Sequence, residues 1–392
     1  MTIYLRHIIL SAFCVFSLLR STAQDSLSVS VLTCTPGVDL YAKFGHTALR
    51  VQNHTTQRDV VFNYGCFDGT ANDFALKFML GQTDYLLEAE PYVHFVERYG
   101  YMGNGVTEQV LNLSQEESMQ LVYLLLENIQ PAHQQYRYMW LYDNCTERAR
   151  DMVERAVNGK IVYLRAPQEQ TIRQMLHQCL EQDAWTDFGI DMILGAEIDQ
   201  PVDKRIQMFL PAFYSNEVSE AQIERADGSK VPYLTATHQI LTDTNESQPT
   251  PFLLSPLFVF ALLLAASILL FIYEWKHGQY VLWLDVPMHI AQGLAGIIVA
   301  FLFFLSEHPA VDSNWLVVVF NPLPLFYAVW LIYCHHQQKQ NKLSYINMAV
   351  LVIFIVSMAF CPQTFNPAMW LVVLSLFVRS LSQAHFTYHT QP

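Results

Sequence analysis

Two kinds of hydrophobic pattern divide the chain. In the first part, short β-rich runs at Ser28–Thr33, His46–Gln52 and Asp59–Tyr64 are separated by turn chemistry such as Thr35-Pro36-Gly37 and Asn53-His54. Helical periodicity follows. Ser114-Gln115-Glu116-Glu117 is a capping box, and Met119, Val122, Leu125, Leu126 and Ile129 recur at helical spacing behind it. A second helix is predicted to open near Asn144 and a third to span about Thr171–Leu180. The pattern predicts an α+β domain over 24–240. A polar stretch, 241–250, then acts as a linker. Beyond it the alternation gives way to continuous apolar runs at about 252–273, 286–306, 315–334, 345–361 and 366–382. Each is near the length that a bilayer core demands, so 251–392 is predicted to be an all-α bundle of about five transmembrane helices.

A further apolar run, Ile8 to Leu19, follows Arg6 and His7 and ends before the small residues Ser21-Thr22-Ala23. Residues 1–23 therefore read as a secretory signal peptide. Lys276 follows the first predicted span, Lys339 and Lys342 follow the third, and Arg379 marks the end of the fifth. The loops 307–314 and 362–366 hold no Lys or Arg. By the positive-inside rule the basic loops and the C-terminus are cytoplasmic, which leaves the N-terminal domain on the outer side of the membrane. The signal peptide demands the same orientation.

Composition agrees with this division. Charged residues are 15% of 392 and hydrophobic ones 52%, where a soluble chain carries roughly 25% charged. From Pro251 onward four basic and four acidic residues cancel, and the only charged residues among the first 24 are Arg6 and Arg20, so the whole acidic excess belongs to the soluble domain. An acidic domain of this kind excludes a nucleic-acid partner that relies on a basic surface. Seven cysteines are too few for a disulfide scaffold and show no CxxC or Cys/His zinc spacing; a metal site from His46, Cys66 and Cys145 is an alternative that no spacing supports, and no cofactor is expected. If a bridge forms, Cys34–Cys66 is the expected pair, since both lie in or beside strand-forming segments.

Cys145 is the sharpest chemical candidate. It follows Asp143-Asn144 in the first turn of a predicted helix, where unsatisfied N–H groups and the dipole favour a thiolate. Ala149, Met152, Val153 and Ala156 give that helix one apolar face, and Cys145 shares it; the alternative is a small buried residue. A nucleophilic thiol needs a base, and His46 follows Gly45 at the start of a predicted strand. Cys179 falls among Ile172, Met175, Leu176 and Leu180 and reads as core. In the tail, His308 and Asn321 are polar groups expected near the outer surface, where they are candidates for binding a lipid head group or acceptor. His289 is expected to bond another helix.

Phe44-Gly45-His46-Thr47-Ala48, Phe62-Asn63-Tyr64-Gly65, Phe67-Asp68, Tyr136-Arg137-Tyr138 and Asp143-Asn144-Cys145 together resemble the signature of the Lnb N-terminal periplasmic domain family. Lys77-Phe78, Gly81, Tyr85 and Asn112-Leu113 fit it too, and Met139 departs from it where the family often has an acid. The match covers roughly 28–215, and the tail resembles that of full-length Lnb-type lipoprotein N-acyltransferases. More distantly, the order of His46 and Asn144-Cys145 is similar to circularly permuted papain-like enzymes of the NlpC/P60 and lecithin:retinol acyltransferase kind. The resemblance implies a permuted papain-like domain with Cys145 as nucleophile and His46 as base. Asn63 would be the orienting residue with Asp68 behind it, and Asn144 would serve the helix start and oxyanion. It implies transfer of a fatty acyl chain from a phospholipid, through a cysteine thioester, to the α-amine of a diacylglyceryl-modified lipoprotein. Arg137 and Arg148 would hold a phosphate head group or pair with nearby acids. The same residues are also compatible with a phospholipase or lipoprotein deacylase, a cell-envelope cysteine peptidase, or a non-enzymatic membrane assembly factor.

Overall fold

The computed structural model describes residues 26–67, 73–166, 169–245 and 248–389. The predicted signal peptide and Asp68 lie outside the described residues. Two compact units emerge, the first formed by Met1–Gln170 and Val202–Ser247, the second by Thr171–Pro201 and Gln248–Pro392. The segment 171–201, which the hydrophobic pattern grouped with the soluble domain, thus belongs to the unit that carries the apolar helices.

The first unit is α+β. Its strands are β1 (Leu27–Cys34), β2 (His46–Asn53), β3 (Arg58–Cys66), β4 (Asp84–Pro91), β5 (Val106–Leu111), β6 (Gln135–Arg137), β7 (Gly159–Val162), β8 (Gln222–Arg225), β9 (Lys230–Pro232) and β10 (Leu234–Leu241). Seven of them form one sheet in the order β10-β5-β1-β2-β3-β4-β6, while β7, β8 and β9 form a small second sheet. Every pairing in the large sheet is antiparallel.

Period-two alternation gives this sheet two apolar faces. Val29, Val31, Leu49, Val51, Val60 and Phe62 share one core with Leu121, Leu125, Ala149, Met152 and Val153 of the helices Gln115–Asn128 and Cys145–Ala156. Leu32, Cys34, Ala48 and Val61 on the other face pack with Phe95, Val96 and Tyr99 of the helix Tyr92–Met102. Both main helices start at real capping boxes, Ser114 with Glu117 and Asn144 with Glu147. Each cap satisfies N–H groups that a helix start otherwise leaves unpaired.

The expected Cys34–Cys66 bridge is absent, and both thiols are free. Strand order is the reason. β2 lies between β1 and β3, so their backbones are about 9–10 Å apart, beyond the roughly 7 Å Cα limit for a disulfide.

Among the described residues of the second unit, four helical stretches are long and apolar enough to cross a membrane: Pro256–His277, Asp285–Leu305, Trp315–His336 and Pro367–Phe386. Leu343–Met358 is a shorter apolar helix. Its 16 residues rise about 24 Å at 1.5 Å each, less than the roughly 30 Å of a hydrocarbon core. Arg379, taken from the sequence as a cytoplasmic marker, is instead buried. Its Nε lies 2.5 Å from Asp285 Oδ1 and its other nitrogens 2.8 Å from the Glu274 carboxylate, with all three side chains at most 1% exposed. The orientation argument therefore rests on Lys276, Lys339 and Lys342. His289 does bond another helix, through Gln383 at 3.3 Å.

Candidate active site

Cys145 opens the Cys145–Ala156 helix on one side of the sheet, and His46 opens β2. Strand alternation puts His46, Ala48, Cys34 and Asn63 on the opposite side from Leu49 and Phe62. Thiol and imidazole nevertheless meet, because both stand at the ends of their elements. Two glycines make the approach possible. Gly45 has φ +78°, and a Cβ there would lie 2.5 Å from the Cys34 carbonyl oxygen; Gly65 has φ +85° and lies under the Cys145 Cβ. The β3–β4 register also shifts between Asn63 and Cys66, which bends the strand beside the helix start.

Burial works against a Cys145 thiolate. The charge of His46, a hydrogen bond from its ring, the Thr47 backbone N–H and the Thr146 hydroxyl together outweigh it and hold the thiol below its ordinary pKa. Thr47 and Thr146 are themselves joined at 3.1 Å between hydroxyls, tying β2 to the helix start.

The imidazole is oriented by a chain of partners. His46 Nε2 lies 3.2 Å from Asn63 Oδ1. Asn63 Nδ2 donates to Glu90 Oε1 at 2.9 Å, and Arg98 pairs with the same carboxylate. The Glu90 contact fixes which end of the amide faces His46. An amide oxygen only accepts, so Nε2 carries a proton and Nδ1 is the nitrogen left for the thiol. Tyr99 stacks on the imidazole with ring centres 6.3 Å apart and planes 13° apart.

Asn144 is wholly committed to the helix start. Its Oδ1 accepts from the Thr146 and Glu147 N–H groups, while Nδ2 donates to the Trp140 and Phe209 carbonyls at 2.9 Å each. No side-chain donor is left for an oxyanion, and the cap leaves the Cys145 N–H unused. Arg148 forms a two-point pair with Asp143, both contacts at 2.5 Å, above the Tyr136 ring. Arg137 pairs with Asp84 at 2.7 Å. Both arginines thus take the acid-paired alternative. His308 and Asn321 lie in the second unit. Asn321 caps the break within the third apolar stretch, accepting from Leu323 N–H and donating to the Val317 and Val318 carbonyls.

An aromatic series leads away from the thiol. Burial raises the Tyr138 hydroxyl well above its ordinary pKa, and Cys145 beside it adds to that shift. Tyr138 stacks on Tyr85 at 4.1 Å, Tyr85 meets Phe67 at 4.9 Å, and Phe67 stacks on Phe74 at 4.9 Å. Phe74 opens the helix Phe74–Leu80, which buries no residue and exposes Leu76, Phe78 and Met79.

Sequence reasoning missed Thr47, Glu90 and Arg98. The alternating acids Glu88 and Glu90 before Pro91 were the available signal for the last two, since they mark one face of a strand end.

Two family models match the chain: the Lnb N-terminal periplasmic domain over residues 16–178 and the Lnb transmembrane domain over residues 246–391. No curated protein and no solved structure matches it. The two matches follow the order of the α+β unit and the apolar helices and together cover most of the sequence. The chain belongs to the Lnb family of membrane-bound lipoprotein-modifying enzymes, with its N-terminal domain in the periplasm.

Proposed function

We propose that this protein is a thiol-dependent lipoprotein N-acyltransferase of the bacterial inner membrane, with a cytoplasmic C-terminus. It takes a fatty acyl chain from a phospholipid and delivers it to the α-amine of a diacylglyceryl-modified lipoprotein cysteine. The observation that carries this reading is the Cys145–His46–Asn63 arrangement at a capped helix start, with a lowered thiol pKa.

In the first half-reaction Cys145 Sγ attacks the ester carbonyl carbon, and its proton passes to His46 Nδ1. The tetrahedral oxygen takes a hydrogen bond from the Cys145 N–H, the group that the Asn144 cap leaves free. As the C–O bond breaks, His46 returns the proton to the departing glycerol oxygen, leaving a lysophospholipid and a thioester. In the second half the lipoprotein amine attacks the thioester carbon. His46 takes a proton from the amine and gives it to Sγ as the C–S bond breaks. Asn63, braced by Glu90, keeps the ring in one tautomer through both steps. The stacked rings from Tyr138 to Phe74 give an acyl chain an apolar path beside the thiol and keep water from the thioester.

The test uses full-length protein in mixed micelles with a synthetic diacylglyceryl lipopeptide and a phospholipid carrying a labelled acyl chain. Mass spectrometry should find the label as an amide on the lipopeptide N-terminus, absent with Cys145→Ala. Labelled free fatty acid without amide would assign the site to a phospholipase or deacylase. Intact substrates would remove catalysis from this site.

A further inference from the structure

Outside the cysteine site, among the described residues, one group of side chains combines ligand chemistry with an unanswered polar atom. His177 lies on the Ile172–Leu180 helix, and Asp187 and Asp191 lie one turn apart on the Ala184–Ile193 helix, all in the second unit. His177 Nε2 is 3.0 Å from both Asp191 oxygens and 3.5 Å from Asp187 Oδ1. One ligand atom from each of the three residues falls within a 4.8 Å group. Asp187 Oδ1 is enclosed and accepts no hydrogen bond.

The surroundings hold the carboxylates in place. Asn366 Nδ2 donates to Asp187 Oδ2 at 3.2 Å and to Asp191 Oδ2 at 3.1 Å. Arg173 donates to Asp191 Oδ1 at 2.6 Å and to both Asp199 oxygens at 2.8 and 2.9 Å. Arg173 and Asp191 are each 2% exposed. Asp191 and Asp199 thus share the Arg173 guanidinium, while Asp187 beside them is met, among the described residues, only by His177 and Asn366.

We infer that His177, Asp187 and Asp191 form a divalent metal site of the zinc class, with Arg173 and Asn366 orienting its carboxylates. A tetrahedral ion with bonds of about 2.0–2.2 Å sets its ligand atoms roughly 3.3–3.6 Å apart. The 3.5 Å between His177 Nε2 and Asp187 Oδ1 falls in that range, and the 3.0 Å hydrogen bond from Nε2 to Asp191 would open by a few tenths of an ångström as the ion replaces its proton. The donor set of one imidazole and two carboxylates favours zinc, cobalt or manganese over magnesium and calcium, which prefer oxygen alone. One ion would use the Asp187 oxygen that accepts no hydrogen bond. It would clip the two helices together at the point where Asn366 meets them. Metal ligands whose carboxylates are hydrogen-bonded from outside are the usual construction of such sites. The sequence hid this site because its residues are spaced 10 and 4 apart across a turn and match no zinc motif.

The inference is independent of the acyl-transfer reading and is tested by metal binding. Full-length protein purified in detergent is stripped with EDTA, desalted, and titrated with Zn2+ and, separately, Co2+. One equivalent should bind, with Co2+ giving the visible absorption of a four-coordinate nitrogen–oxygen site and no thiolate band. Zn2+ should also raise the unfolding midpoint. Replacing an orienting partner costs about 10–100-fold in metal affinity, so Asn366→Ala should weaken binding about 10-fold. His177→Ala and Asp187→Asn should each weaken it by at least about 100-fold and abolish the thermal shift. Asp187→Asn keeps the size of the side chain and an oxygen for Asn366, which guards against loss of fold. Wild-type protein that takes up no equivalent of either metal overturns the inference, whatever the variants do. So does an equivalent that survives both ligand substitutions, which would leave the cluster as an ion-pair network alone.

Discussion

Cys34 and Cys145 are both neighbours of His46, yet their thiols are driven in opposite directions. Cys34 stands directly across from His46 in the β1–β2 register. Burial pushes its pKa far up, and its hydrogen bond with Tyr99 is too weak to reverse that. Cys66, also enclosed, behaves the same way, with burial followed by the nearby Glu88 charge. Cys145 meets the same burial penalty but has donors that Cys34 lacks: the ring of His46, the Thr47 N–H and the Thr146 hydroxyl. Proximity to a histidine is therefore not what makes a reactive thiol here. What counts is the number of donors that converge on the sulfur, and only the helix start with the β2 end supplies several.

The comparison can be broken or sharpened by substitution. The largest effect is expected from Cys145 itself: Cys145→Ser should end labelling by an acyl-reactive thiol probe, while Cys34→Ser leaves the labelled fraction and rate near wild type, as read by peptide mass spectrometry. His46→Ala should slow acyl transfer by about 10²–10⁴-fold, the usual worth of a general acid–base group. It should also move the pH midpoint of Cys145 alkylation upward, because removing the imidazole removes the leading forces that lower the thiol pKa. His46→Gln should rescue little, since an amide cannot shuttle a proton. Asn144→Ala acts on the scaffold instead and should cost about 1–2 kcal/mol in denaturant unfolding through the lost cap, with more if the Trp140 and Phe209 carbonyls stay dry.

The smallest effect concerns Glu147. Burial raises its carboxyl from 4.5 to about 7. A carboxyl that binds its proton more tightly when folded makes stability fall as pH rises between those values. Wild-type protein should thus lose stability from about pH 5 to 7.5 through this group. Glu147→Gln should flatten that part of the profile in thermal melts.

Much of this architecture was readable from the sequence because it depends on local signals. The capping box at Ser114, the helix start near Asn144, the strand runs around Val31, Leu49 and Phe62, and the apolar stretches after Pro251 all appear where their patterns put them. The pair His46 and Cys145 was also legible, from element starts and motif order. What stayed hidden depends on long-range pairing. The brace from Asn63 to Glu90 and Arg98 requires β3 to lie beside β4, and sequence spacing carries no such register. The failure of the Cys34–Cys66 bridge has the same origin, since β2 between them is a fact of sheet order. Arg379 misled in another way: a lone charge near the end of an apolar run looks like a boundary until Glu274 and Asp285 are found around it. The helices of 171–201 carry ordinary amphipathic patterns, which say that a face is buried but not against what.

The central claim is that Cys145 carries the acyl chain, and trapping that intermediate tests it most directly. Full-length protein is incubated with phospholipid and no lipopeptide, quenched in acid, and read by intact-mass and peptide mass spectrometry. The account predicts one added acyl chain on Cys145, released by neutral hydroxylamine as a thioester should be, and transferred to lipopeptide when that is added. It should be absent in Cys145→Ala and retained in Cys34→Ser. An acyl chain found on another residue, or N-acylated lipopeptide formed by the Cys145→Ala protein, would contradict it.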